Sequence, residues 1–160
     1  MDGVRVVYTL QDFPEARTPS LFLAGPTPRK SYIKSWRPRA LNLIRRYRQE
    51  IVVYYPEPMI DGKWSPDSDD HINWERAALI RSRAILFWVD RNLEHMPGFR
   101  TNTEWGYWTS CDPARLVLAY PKGAPGMRGM ANDARCYNIP AVHSLSAGIR
   151  IALELACATH

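Results

Sequence analysis

Residues Ala84-Ile85-Leu86-Phe87-Trp88-Val89 form an unbroken apolar run. A strand with one wet face alternates apolar and polar side chains, so a run with no polar position needs cover on both faces. Parallel sheets flanked by helices supply that cover. Leu21–Ala24, Ile51–Tyr55 and Leu116–Tyr120 read the same way, with a shorter run at Pro140–Val142 and an additional strand at Val4–Thr9. Helical patterns separate them: Ser35–Arg48, with Ser35 as N-cap, Pro38 in the first turn and Leu41, Ile44 and Tyr47 as the apolar stripe; then Ile72–Ile80, Thr101–Ser110, Gly129–Tyr137 and Ser144–Ala158.

Runs of strand alternating with helix are the pattern of βαβ units. The expected fold is α/β: a Rossmann-like or flavodoxin-like three-layer sandwich around a mostly parallel five-stranded sheet. Counting from the Leu21 run, the common strand order is 2-1-3-4-5, which places the topological switch point between the Leu21 and Ala84 strands. Ligands in such sheets bind beyond the carboxyl ends of the strands at that point.

The chain's 160 residues fit one domain over 1–160, and 46% hydrophobic with 23% charged residues is a globular balance. A chain of this length buries roughly two-thirds of its unfolded surface, enough for a core without disulfides. No apolar run approaches the ~20 residues of a membrane span. The first twenty residues lack a basic-then-apolar layout, so the expectation is a cytoplasmic protein. Cys111, Cys136 and Cys157 are far apart and odd in number, with no CxxC pair, and are expected to be buried thiols in a reducing compartment. His71 and His95 fall in predicted loops without metal-ligand spacing. Neither a metal nor a cofactor is indicated.

The net charge of +5 comes from 21 Lys and Arg, only four of them Lys, against 16 Asp and Glu. A nucleic-acid surface clusters such charge. Here it is spread, and the densest group, Arg45, Arg46 and Arg48, sits at a helix C-terminus where the dipole favours it. The reading is no nucleic acid and no membrane partner, with anionic small molecules compatible.

The loop after the Leu21 strand reads Gly25-Pro26-Thr27-Pro28-Arg29. Glycine there lets backbone approach a ligand closely, and arginine can meet a phosphate or carboxylate. It is not GxGxxG, and no GxxxxGK[ST] occurs, which disfavours a dinucleotide dehydrogenase or P-loop enzyme. After the Ala84 strand comes Pro97-Gly98-Phe99-Arg100-Thr101-Asn102-Thr103-Glu104-Trp105-Gly106-Tyr107-Trp108. Thr101, Asn102 or Thr103 can cap the following helix. Glu104, three residues after Thr101, has the spacing of a capping-box partner. Alternatively, the positive helix terminus keeps Glu104 ionised as a nucleophile.

Taken in order, Leu21-Phe22-Leu23-Ala24-Gly25-Pro26-Thr27-Pro28-Arg29, Ser35-Trp36-Arg37, Pro56-Glu57, Trp74-Glu75, Ile85–Val89 and Thr101-Asn102-Thr103-Glu104-Trp105-Gly106-Tyr107 give the chain its resemblance. From about Leu21 to Pro140 it resembles the nucleoside 2-deoxyribosyltransferase-like family, in the branch bearing FLAGPTPR and TNTEWGYW stretches. That resemblance implies an enzyme acting on the N-glycosidic bond of nucleosides or nucleotides, with free nucleobase as leaving group or acceptor. It implies a glutamate nucleophile, matched by Glu104, and a covalent glycosyl-enzyme resolved by an incoming base or water, as in retaining glycosidases.

Where such transferases carry an aspartate before the third strand this chain has Ala84, and where another carboxylate precedes the nucleophile it has Pro97-Gly98-Phe99. The proton donor for the departing base is therefore open. Asp90, directly after the strand, is the first candidate, with Glu75 and Glu57 behind it. Gly25, Pro26, Thr27, Arg29, Arg37, Glu75, Trp88 and Asn102 are the expected substrate-binding residues. Asn132 is the nearest match to the asparagine that a neighbouring subunit contributes in the family. A homo-oligomer, a dimer or a multiple of dimers, is expected on that ground and on the surface that six Trp in a small domain leave to spare. Two other readings compete: a non-catalytic nucleotide-binding module, since the auxiliary acid is missing, and an RNA-binding protein, suggested by Arg and aromatic content.

Overall fold

A computed structural model describes residues 3–15, 18–59 and 68–158. Along them run β1 (Val4–Tyr8), β2 (Ser20–Ala24), α1 (Arg37–Arg45), β3 (Ile51–Tyr55), α2 (Asp69–Arg81), β4 (Ala84–Trp88), α3 (Phe99–Cys111), β5 (Leu116–Ala119), α4 (Arg128–Cys136), β6 (Ala141–Val142) and α5 (Leu145–Cys157). Every residue of β2, β3, β4 and β5 is buried. Their apolar runs thus have cover on both faces. All pairings are parallel, in the order β1-β3-β2-β4-β5-β6. This is the expected α/β sandwich and order, with six strands instead of five because Val4–Tyr8 pairs along β3 at the edge.

Strand alternation divides the core in two. Phe22, Ala24, Ile85, Phe87, Val89 and Leu118 pack against Trp74 and Leu79 of α2, Trp105 and Trp108 of α3 and Met130 of α4. On the other face Leu21, Leu23, Leu86, Trp88 and Ala119 meet α1 and α5. Gly148 of α5 lies so close to the sheet that a Cβ would sit 2.7 Å from Ala119 Cβ and 3.0 Å from Leu86 Cδ1. Gly148→Ala is therefore expected to lower stability by about 1–2 kcal/mol despite its better helix propensity. An unchanged or higher urea midpoint would show that α5 can lift off at no cost.

Several local expectations change. α1 begins at Arg37 with Trp36 at the cap position, and Ser35 instead accepts from the Arg37 amide at 3.2 Å and donates to Glu57 Oε2 at 2.7 Å. Tyr47 lies beyond the helix end and is exposed. His71 sits in α2 and is buried, not in a loop. The Asp- and Pro-rich stretch Asp61–Asp70 reads from sequence as a polar loop; residues 61–67 of it lie outside the described ones, while Ser68 caps α2, accepting from the His71 amide, and Asp69 and Asp70 open the helix.

The three cysteines are not core residues. Each is the last residue of its helix, beyond the turns that pack on the sheet, and Cys111 and Cys136 are exposed and Cys157 is half-buried. The described tryptophans, conversely, are all buried, and the exposed aromatic surface comes from Tyr32, Tyr47, Phe99, Tyr107 and Tyr137. No helix among the described residues is long and apolar enough to cross a membrane.

Candidate active site

β2 and β4 are neighbours, but the connection from β2 leads to β3 on one side and that from β4 to β5 on the other. Their carboxyl ends therefore open into a gap, as expected at a switch point. A cavity of about 470 Å³ fills it, within the range of small-molecule sites. Gly25, Thr27, Pro28 and Arg29 from the β2–α1 connection line one wall, Glu75 of α2 another, and the start of α3 (Phe99, Arg100, Thr101, Glu104) a third.

Gly25 makes the first wall possible. Its φ is +147°, and a Cβ would fall 2.1 Å from the Trp88 carbonyl oxygen, so a side chain has no room where β2 turns across the end of β4. Arg37, only 1% exposed, braces the turn: Nε donates to the Leu23 carbonyl at 3.0 Å, Nη2 to the Gly25 carbonyl at 2.9 Å and Nη1 to Thr27 Oγ1 at 3.1 Å, with Glu57 3.4 Å away. Arg37 lines the cavity, but its donors are directed at the loop rather than the void. Arg29 is the exposed cation at the rim. Its amide donates to the His95 carbonyl and its guanidinium lies 5.4 Å over the Phe99 ring.

The third wall starts from Gly98, at φ +67°, which turns the chain into α3 two residues ahead of the expected start. No side chain caps the helix. Thr101 is buried in the first turn, and Thr103 Oγ1 donates back to the Phe99 carbonyl. Glu104, sixth in the helix, is thus not a capping-box partner. Its carboxylate meets Arg100 Nε at 3.5 Å, and Arg100 Nη2 reaches Glu75 Oε2 at 2.8 Å. One guanidinium therefore holds two carboxylates, whose side chains are 16% and 13% exposed.

Burial, and then repulsion from Glu75, push the Glu104 carboxyl up to about 7, against the pull of Arg100 and Arg37. The helix terminus does not hold it fully ionised at neutral pH. Arg100 had no role in the sequence reading, although its i,i+4 spacing from Glu104 was the available signal.

Other expected residues lie elsewhere. Asp90 is exposed and off the cavity, because the inward position after Val89 is taken by Arg91. Trp88 packs on the α1–α5 face, since alternation gives the cavity face to Phe87 and Val89. Pro26 does not line the cavity; it packs beneath Gly98 and its carbonyl accepts from Trp36 Nε1. Asn102 turns to the opposite side of α3, where its Oδ1 accepts from Arg91. Asn132 is exposed on α4, bonded to Arg135 and Cys136, away from its own chain's cavity. Glu57 is engaged by Ser35 and Arg37. No group of three or more His, Cys, Asp or Glu suited to a metal ion occurs among the described residues.

A search of curated proteins returns no match. The family model described as nucleoside 2-deoxyribosyltransferase like matches residues 18–122, a stretch that contains the Gly25 turn, Glu75, Arg100 and Glu104. With that match across most of the sheet and all three cavity walls, the chain belongs to the nucleoside 2-deoxyribosyltransferase-like family.

Proposed function

We propose that the protein cleaves or transfers at the N-glycosidic bond of a nucleoside or nucleotide, with Glu104 as nucleophile. The observation that carries this reading is the pair of carboxylates, Glu75 and Glu104, held by Arg100 inside a cavity at the switch point. Ionised Glu104 attacks the anomeric carbon; the bond to the base breaks, and the base leaves with its electron pair and a proton. A free base or water then attacks the glycosyl-enzyme from the same face, restoring the carboxylate and the original configuration. Glu75 replaces Asp90 as the proton carrier, since it lies on the cavity wall and shares Arg100 with the nucleophile.

Arg29 sets the ligand's anionic end. It lines the same cavity as Glu104 and makes no ion pair with a described carboxylate, leaving it available to a 5′-phosphate. Chromatography of incubations with a panel of nucleosides and 5′-nucleotides, each with free adenine, is expected to show base release or exchange. Phosphorylated substrates should be preferred, and Arg29→Ala should raise their KM about tenfold or more without changing that of the nucleosides. Binding without turnover of any panel member would favour a non-catalytic nucleotide-binding module instead.

A further inference from the structure

Arg91 carries a charge that no described carboxylate balances. The residue is 9% exposed, and its Nη2 donates to Asn102 Oδ1 at 2.5 Å and approaches Met130 Sδ at 3.6 Å, both neutral acceptors. Nε is buried without a hydrogen-bond partner, while Nη1, which reaches solvent, makes no hydrogen bond to a described residue. No described carboxylate comes within ion-pair distance, and burial alone lowers its pKa from the usual arginine value. A guanidinium partly taken out of water without a counter-charge is unfavourable unless something else supplies the anion.

The surroundings add positive potential. Nη1 lies 3.6 Å from where a side chain would begin at Gly126, whose φ of +71° leads into α4, and Nη2 touches Met130 in that helix's first turn. α4 has nine residues, no side-chain cap and no acidic residue in its first turn, so its leading amides have no side-chain acceptor and the positive end of its dipole has no acidic side chain beside it. Two positive features set side by side call for an anion between them. Lys122 and Arg128, both exposed, belong to the same β5–α4 stretch.

We propose that Arg91 and the N-terminus of α4 bind a phosphoryl group, at a site separate from the Glu104 cavity. The two sites lie on opposite sides of α3: Thr101 and Glu104 line the cavity, while the adjoining Asn102 faces Arg91. A tetrahedral oxyanion of charge near −2 suits the donors better than a carboxylate. Nη1, beside Gly126, and the uncapped amides of the first turn of α4 are separate donors, and phosphate offers an oxygen to each.

The test is a titration of ¹⁵N-labelled protein with inorganic phosphate at constant ionic strength, reading the arginine Nε–H resonances. Arg91, identified by the resonance missing in Arg91→Gln, is expected to show a saturable shift. Asn102→Asp places a carboxylate where Nη2 already donates; it should weaken phosphate binding at least tenfold and raise Tm in phosphate-free buffer. This variant keeps the test decisive if Arg91→Gln fails to fold.

Ribose 5-phosphate and a nucleoside 5′-monophosphate form the second arm. Equal affinity for all three ligands assigns the site to free phosphate, and tighter binding of one ester assigns it to the phosphoryl group of that larger ligand. No saturable shift at Arg91, a shift confined to Arg29, or undiminished binding by Asn102→Asp would each overturn the proposal.

Discussion

Glu104→Gln is expected to reduce base release and base exchange by roughly 10³-fold or more while making the protein more stable above neutral pH. The amide keeps the shape of the side chain but has no charge with which to attack the anomeric carbon. The stability gain follows from the carboxyl's raised pKa of about 7 against its ordinary 4.5. Between those values the folded protein keeps a proton that the unfolded chain releases. Stability therefore falls as pH rises through that window and is flat above it. The ionised, buried carboxylate then weighs against folding by an amount on the order of 3 kcal/mol.

Glutamine carries no such load, so the variant should melt higher than the parent at pH 8 and alongside it at pH 5. Incubation of the parent with a 2-fluoro-2-deoxynucleoside, whose fluorine slows formation and breakdown of the intermediate, should leave a sugar adduct on Glu104 by mass spectrometry. Full activity in the glutamine variant, or an adduct on another residue, removes Glu104 from the mechanism. A melting profile that follows the parent's at every pH removes the raised pKa.

The architecture was legible because burial on both faces leaves a direct imprint. Ala84–Val89 has no polar position, and only a strand covered on both sides tolerates that. Strand order then located the cavity before any side chain was placed, and Glu104, Glu75, Thr27 and Arg29 all line it. What the sequence did not carry is direction. An unbroken apolar run does not say which alternate residues face which layer, so Trp88 was expected in the cavity and packs on the far face. Nor does it say where a chain leaving a strand turns inward: Asp90 took the adjacent position in sequence, but Arg91 took the inward one.

The N-terminus of α3 shows a related ambiguity. Thr101, Asn102 and Thr103 all have capping chemistry, and the helix uses none of them because Gly98 adopts a left-handed conformation and starts it earlier. That shift of two residues turns Arg100 onto the same helix face as Glu104.

Arg100 should consequently control the pH at which the enzyme works. Its guanidinium touches Glu75 at 2.8 Å and Glu104 at 3.5 Å, and together with Arg37 it opposes the burial and repulsion that raise the Glu104 pKa. The nucleophile must be ionised, so kcat/KM of the parent should rise with pH through an acid limb near 7. Removing the guanidinium in Arg100→Gln leaves two carboxylates facing one another with less positive charge between them. The Glu104 proton is then held more tightly, and the acid limb should move at least about one pH unit toward alkali, with a loss at pH 7 of about fivefold or more that shrinks as the pH is raised toward 8.

Arg100→Lys keeps the charge but not the fork that reaches both carboxylates, and its limb should lie between the two. A merely structural arginine would lower activity by the same factor at every pH. A limb that stays near 7 in Arg100→Gln would therefore show that Glu104 draws its ionisation from somewhere other than the arginine it shares with Glu75.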